Sequence, residues 1–81
     1  MRLQLYDRGS PQGKKMFADI VDICRRFQII DDPEYIQDMY RPQSMGIQGK
    51  TVLMVNGEVV LVDRYPSASE LEQLIQDYLN D

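Results

Sequence analysis

Eighty-one residues, 43% of them hydrophobic and 27% charged, suffice for one small domain with one core and are too few for two. Nine Lys and Arg against thirteen Asp and Glu leave a net charge of −4, which works against nucleic-acid and anionic-membrane binding through the global field. With no His and one Cys, the inventory excludes an internal disulfide, a histidine proton shuttle and the commonest metal ligand, and no stretch reads as a signal peptide or membrane span, so a cytoplasmic location is expected.

Leu3 and Leu5 alternate with polar neighbours and predict a short strand, broken by Asp7-Arg8-Gly9. Ser10-Pro11 is a helix start, the hydroxyl accepting from an orphan amide and proline presetting φ at the first helical position. The helix should run to about Phe27, with Phe17, Ile20, Val21, Cys24 and Phe27 on one face and Met16 and Ile23 widening it. Residues 27–30 are apolar and predict a second short strand. Asp32-Pro33 repeats the cap-then-proline pattern and predicts a second helix over 33–40, with Ile36, Met39 and Tyr40 inward and Pro42 limiting its extent. Residues 41–50, with Pro42, Gly46 and Gly49, form the longest irregular stretch. Two apolar runs, 51–55 and 58–62, flank Asn56-Gly57, the strongest two-residue hairpin signal, and barely alternate, which implies strands covered on both faces. Ser67 and Glu70 then form a capping box ahead of Leu71, Leu74, Ile75, Tyr78 and Leu79. The order is β-α-β-α-β-β-α. It predicts a single α/β domain over residues 1–81 with a mixed four-stranded sheet and helices on both faces.

The opening Leu-Tyr strand, the Gly9-Ser10-Pro11-Gln12-Gly13 loop, the Val55-Asn56-Gly57-Glu58-Val59 hairpin and Arg64 with the Ser67/Glu70 helix start resemble the small thioredoxin-like proteins described as small redox-active disulfide proteins. The resemblance implies a thioredoxin-like fold, with a Cys-x-x-Cys pair falling at Ser10 and Gly13 and a cis-proline at Thr51. Both thiols and the proline are missing here. Family chemistry needs a thiolate stabilised at a helix N-terminus, and a serine hydroxyl is scarcely ionised near neutral pH. Without proline, a cis Lys50–Thr51 bond would cost about 2.5–4 kcal/mol, so a trans bond is expected. Arg64-Tyr65-Pro66 is also similar to a stretch of the arsenical-resistance metallochaperones, whose cysteine cluster is absent.

The resulting expectation is a redox-inactive protein-interaction or homodimerising module without cofactor, metal, nucleic acid or membrane. Its binding region would comprise residues 8–13, 46–51 and 63–65, with the strand edge at 58–62 as a second route to a dimer. Two alternatives remain. Cys24 is the sole thiol and could act as a monothiol carrier, although its register places it in the core. Gly9, Ser10, Gly13, Lys14 and Lys15 could hold an anion on free helix-start amides, although the Walker spacing is absent and Pro11 removes one amide. The carboxylates at Asp31, Asp32 and Glu34 read as capping and helix-dipole residues, and Asp7 and Asp63 as strand ends.

Overall fold

A computed structural model describes residues 1–80; Asp81, the last residue of the expected domain, lies outside the described residues. Seven elements follow one another: β1 (Leu3–Asp7), α1 (Pro11–Arg26), β2 (Glu34–Ile36), α2 (Tyr40–Ser44), β3 (Thr51–Val55), β4 (Glu58–Val62) and α3 (Ala68–Leu79). The four strands form one mixed sheet in the order β2-β1-β3-β4, with β1 parallel to β2 and antiparallel to β3. β1 and β3 are therefore central, and every residue of both is buried. The expected two-sided cover holds for β3. β4, at the edge, is only half-buried, because nothing pairs with its outer side.

The two sheet faces carry separate apolar clusters. Leu3, Leu5, Leu53 and Val55 meet Met16, Ile20, Ile23 and Cys24 of α1 and Leu71 and Ile75 of α3. Tyr6, Val52 and Met54, on the alternate positions of the same strands, meet Met39 with Ile36, Ile47, Val59 and Val62 around them. The long helices thus share one face, and the segment around α2 covers the other. Both long helices start as their sequences require. Ser10 Oγ accepts the Gly13 amide at 3.0 Å with Pro11 at the first helical position, and Ser67 and Glu70 complete a reciprocal capping box. Leu79, the last residue of α3, is 43% exposed.

The middle of the chain departs from expectation. Residues 27–30 are not a strand but the end of α1: the Gln28 amide reaches the Arg25 carbonyl and the Ile29 amide reaches that of Cys24, at 3.2 and 2.9 Å. This is a Schellman ending, with Gln28 in the left-handed conformation at φ 55° where glycine is usual. Ile29 packs on the core and Ile30 stands 95% exposed. Asp32-Pro33 starts no helix; Glu34, Tyr35 and Ile36 pair instead with Gln4, Leu5 and Tyr6. Proline disfavours helical backbone in the residue before it, and Tyr35 and Ile36 suit a strand. The second helix comes later, over Tyr40–Ser44, and contains Pro42 in its first turn, where amides have no helical acceptor anyway. Tyr40, expected inward, is 73% exposed.

The hairpin turns on Asn56 and Gly57, at φ 53° and 82°, which matches the expected primed turn. Asn56 also binds the β1 start, its Oδ1 accepting the Arg2 amide at 2.9 Å. Leu53 faces Leu61 but Met54 faces Val59, so Val60 is an extra residue in β4. Such a bulge on an outer strand disrupts regular pairing with another chain, which weakens the edge route to a dimer.

Candidate functional site

β1 ends at Asp7, directly before the loop that opens α1. The alternation of β1 sends this side chain to the α1 face, where it is fully buried beneath the helix mouth. Its carboxylate receives five hydrogen bonds. Oδ2 accepts the Gly9 amide at 3.0 Å, the Ser10 amide at 2.9 Å and the Tyr35 hydroxyl at 2.6 Å. Oδ1 accepts the Ser10 hydroxyl at 2.7 Å and the Thr51 hydroxyl at 2.6 Å. Burial alone would raise the carboxyl pKa, but the bonds from Thr51, Tyr35, Ser10 and Gly9 outweigh it and hold the group down at about 2. The reciprocal effect falls on Tyr35, whose phenol is pushed up to about 12, first by burial and then by its bond to Asp7. Phe17 of α1 packs against the Tyr35 ring at 5.2 Å between centroids and fixes its orientation.

Ser10, Gly13 and Thr51 meet at this carboxylate. The register pairs Asp7 with Thr51, so the start of β3 lies beside the end of β1, and both hydroxyls point at Oδ1. Thr51 Oγ1 spends its hydrogen on Asp7, so the Tyr65 hydroxyl, 2.7 Å away, donates to it and carries the network to the surface. Ser10 Oγ likewise gives its hydrogen to Asp7 while its lone pair takes the Gly13 amide. A carboxylate held near pH 2 is too weak a base to activate that serine as a nucleophile. Gly13 is close to the same group in a different sense: a Cβ there would lie 2.2 Å from Asp7 Cγ. No side chain larger than hydrogen fits at position 13 while Asp7 keeps its place. The Lys50–Thr51 peptide is trans, as is every peptide bond among the described residues.

Next to this network an open cleft of ≈ 930 Å³ runs between the β1–α1 loop and the segment joining α2 to β3. Asp7, Arg8, Gly9 and Ser10 contribute from the first, Gln43 and residues 46–50 from the second, and Asp63 from the end of β4. Asp63 closes one end at φ 54°, with Oδ1 accepting the Lys50 and Thr51 amides at 2.7 and 2.9 Å. Parts of the three segments singled out in the sequence as a binding region thus come together, while Arg64 and Tyr65 line a separate depression with Leu61 and Glu70.

The other candidate residues lie elsewhere or are already engaged. Cys24 is 4% exposed inside the α1 stripe, and burial, followed by the charge of Asp32, raises its pKa, which disfavours the thiolate. The Gly9 and Ser10 amides point inward to Asp7, Gly13 donates to Ser10, and the exposed Lys15 pairs with Asp19 at 2.9 Å, leaving Lys14 as the one lysine of the anion set without an ion pair among the described residues. The protein's own carboxylate occupies the nest. Asp31, Asp32 and Glu34, expected to serve a helix start, border a strand; Asp31 meets the N-terminal ammonium at 3.4 Å and Glu34 meets Arg2 at 3.6 Å.

Read from the sequence, Asp7 is only a strand end, Tyr35 has no role, and Tyr65 enters the site only as the last residue of the 63–65 binding segment. Asp three residues before a capping Ser, at the exit of a buried strand, was the available signal for Asp7. Nothing local marks Tyr35, because its contact depends on the β1–β2 pairing. No group of His, Cys, Asp or Glu suited to a metal ion occurs among the described residues, and among them no helix is long and apolar enough to cross a membrane. No protein-family model matches the chain, and no curated protein or solved structure matches it.

Proposed function

We propose that the chain is a thioredoxin-like domain without dithiol chemistry that serves as a protein-interaction module, with the cleft beside the mouth of α1 as its docking site. The observation that carries this reading is the Asp7 carboxylate beneath the helix mouth. In a dithiol enzyme that position favours a thiolate; here an oxygen anion takes the Ser10 and Gly9 amides, and the Ser10 and Thr51 hydroxyls bind it from both sides. The site is rebuilt around a different anion, and the space a second cysteine would need at position 13 is filled. The mixed sheet, with one parallel pair made by a helical crossover and one antiparallel hairpin, supports the fold assignment. The cleft supports the docking role, since it lies at the strand ends, on loops that the sheet holds in place.

Site-specific photo-crosslinking tests the function. A photoreactive residue at Gln48, in the cleft, is expected to give discrete protein adducts in the native cell extract, and one at Asp77 on α3 is expected to give none. The adducts should persist in Cys24→Ser. Adducts that require Cys24, or insulin reduction by the native protein that Cys24→Ser abolishes, would replace the module with a monothiol carrier.

A further inference from the structure

Of the two asparagines in the chain, Asn56 alone is followed by glycine. A backbone amide can attack the side-chain carbonyl of the asparagine before it, and glycine places no Cβ in the way. The Gly57 nitrogen then bonds to Asn56 Cγ, the Cγ–Nδ2 bond breaks, and the carboxamide nitrogen leaves as ammonia with the former Gly57 amide proton. Water opens the resulting five-membered imide at one of its two carbonyls. Opening at Cγ leaves aspartate; opening at the backbone carbonyl leaves isoaspartate, whose main chain runs through the former side chain and is one carbon longer.

The hairpin gives this pair both access and restraint. Asn56 is exposed, and nothing lies within 4 Å of the place a Gly57 Cβ would take. The φ values of 53° and 82° belong to a primed turn, whose first central residue has ψ of about +30°. That ψ leaves the Gly57 nitrogen nearly opposite Asn56 Cβ about the Cα–C bond, turned away from Cγ. The side chain is held as well. Its Oδ1 accepts the Arg2 amide at 2.9 Å, while the Asn56 amide donates to the Arg2 carbonyl at 2.8 Å. This exchange continues the Leu3–Val55 register by one residue, with the carboxamide oxygen standing where a strand would offer its backbone carbonyl.

We propose that Asn56 is a site of spontaneous deamidation through this imide, and that the turn and the Arg2 clamp confine the reaction to molecules in which the hairpin tip has opened. Ring closure requires rotation about the Asn56 Cα–C bond and release of Oδ1, and both undo the turn. The two products differ in consequence. Aspartate keeps a side-chain oxygen for the Arg2 amide. Isoaspartate lengthens a two-residue loop that sets the β3–β4 register and displaces that oxygen, so the start of β1 loses its acceptor. The hairpin tip thus carries an irreversible exit from the native state that is independent of any partner in the cleft.

Peptide mapping by mass spectrometry, with the aspartate and isoaspartate forms separated by chromatography, tests this on the protein held at mildly alkaline pH with and without unfolding urea. Conversion at residue 56 should be at least about tenfold slower in the folded protein. Arg2→Pro, which removes the donating amide, should convert faster than Arg2→Ala, which keeps the amide and loses only the side chain. The isolated isoaspartate form should shift the Arg2, Leu3 and Val55 amides, whereas Asn56→Asp should leave Leu3 and Val55 in place. No conversion in the unfolded chain removes the site, and equal rates in folded and unfolded protein overturn the protection. Equal rates in the two Arg2 variants remove the clamp. Should Arg2→Pro fail to fold, hydrogen exchange of the Arg2 amide in the native protein decides the same point: protection supports the clamp, and exchange at the free-peptide rate overturns it.

Discussion

Asp7 shows how much of this molecule turns on one side chain. A buried carboxylate without partners would be strongly destabilising, and this one is stable because every approach to it carries a donor. Its pKa falls from 3.8 to about 2 on folding, so the unfolded chain binds the proton more tightly. The associated stability is present above about pH 4 and is lost as pH falls towards 2; by linkage it amounts to on the order of 2 kcal/mol. Urea unfolding of the native protein and of Asp7→Asn, compared across that range, should show the native protein losing this increment and the variant lacking the slope. Asp7→Asn should also cost about 1–3 kcal/mol at pH 7, because its amide hydrogens meet donors and not acceptors. Gly13 is coupled to the same atom. Gly13→Ala should destabilise by about 2–4 kcal/mol alone and by under about 1 kcal/mol in an Asp7→Ala background, since the clash disappears with the carboxylate. Additive costs in that double-mutant cycle would separate Gly13 from Asp7.

At the scale of elements, the parts legible in the sequence are those whose signals are local. Ser10-Pro11, Ser67 with Glu70, and Asn56-Gly57 each satisfy their own neighbouring backbone, and each element begins or turns where those residues put it. The region 27–40 carries no such local signal. The Schellman ending uses Gln28 where glycine would have announced it, and the three-residue β2 exists only because β1 lies beside it. Gln28 at φ 55° gives a further expectation. Gln28→Gly should raise stability by about 0.5–1 kcal/mol, measured as an upward shift in the denaturation midpoint, because glycine adopts the left-handed conformation without a Cβ penalty. No gain would mean that the helix ends differently. The candidate site was legible in the same partial way: Ser10, Gly13 and Thr51 were found through resemblance, whereas Tyr35 and Tyr65 required the sheet register and the packing of distant segments.

For the whole molecule, the proposed docking role depends on where the sheet places its ends. α1 and α3 cover one face and are tied by Arg26 to Glu72 at 2.6 Å, while the thin cover around α2 on the other leaves space beside the strand ends for the cleft. The single thiol lies inside the covered side. Cys24 should therefore react with a thiol reagent only at the rate of global opening, and its labelling should accelerate with denaturant in step with unfolding. Rapid labelling under native conditions would expose a usable thiol and reopen the carrier alternative.

The proposed docking site stands on an ionised carboxylate at the mouth of α1, and the side-chain carboxyl resonance of Asp7 followed against pH reports on it directly. The predicted result is a midpoint near 2, accompanied by matching shifts at the Gly9 and Ser10 amides. A midpoint near the ordinary value of 3.8, with those amides unmoved, would show that the carboxylate is not held by this network and would contradict the proposal that the site is built around it.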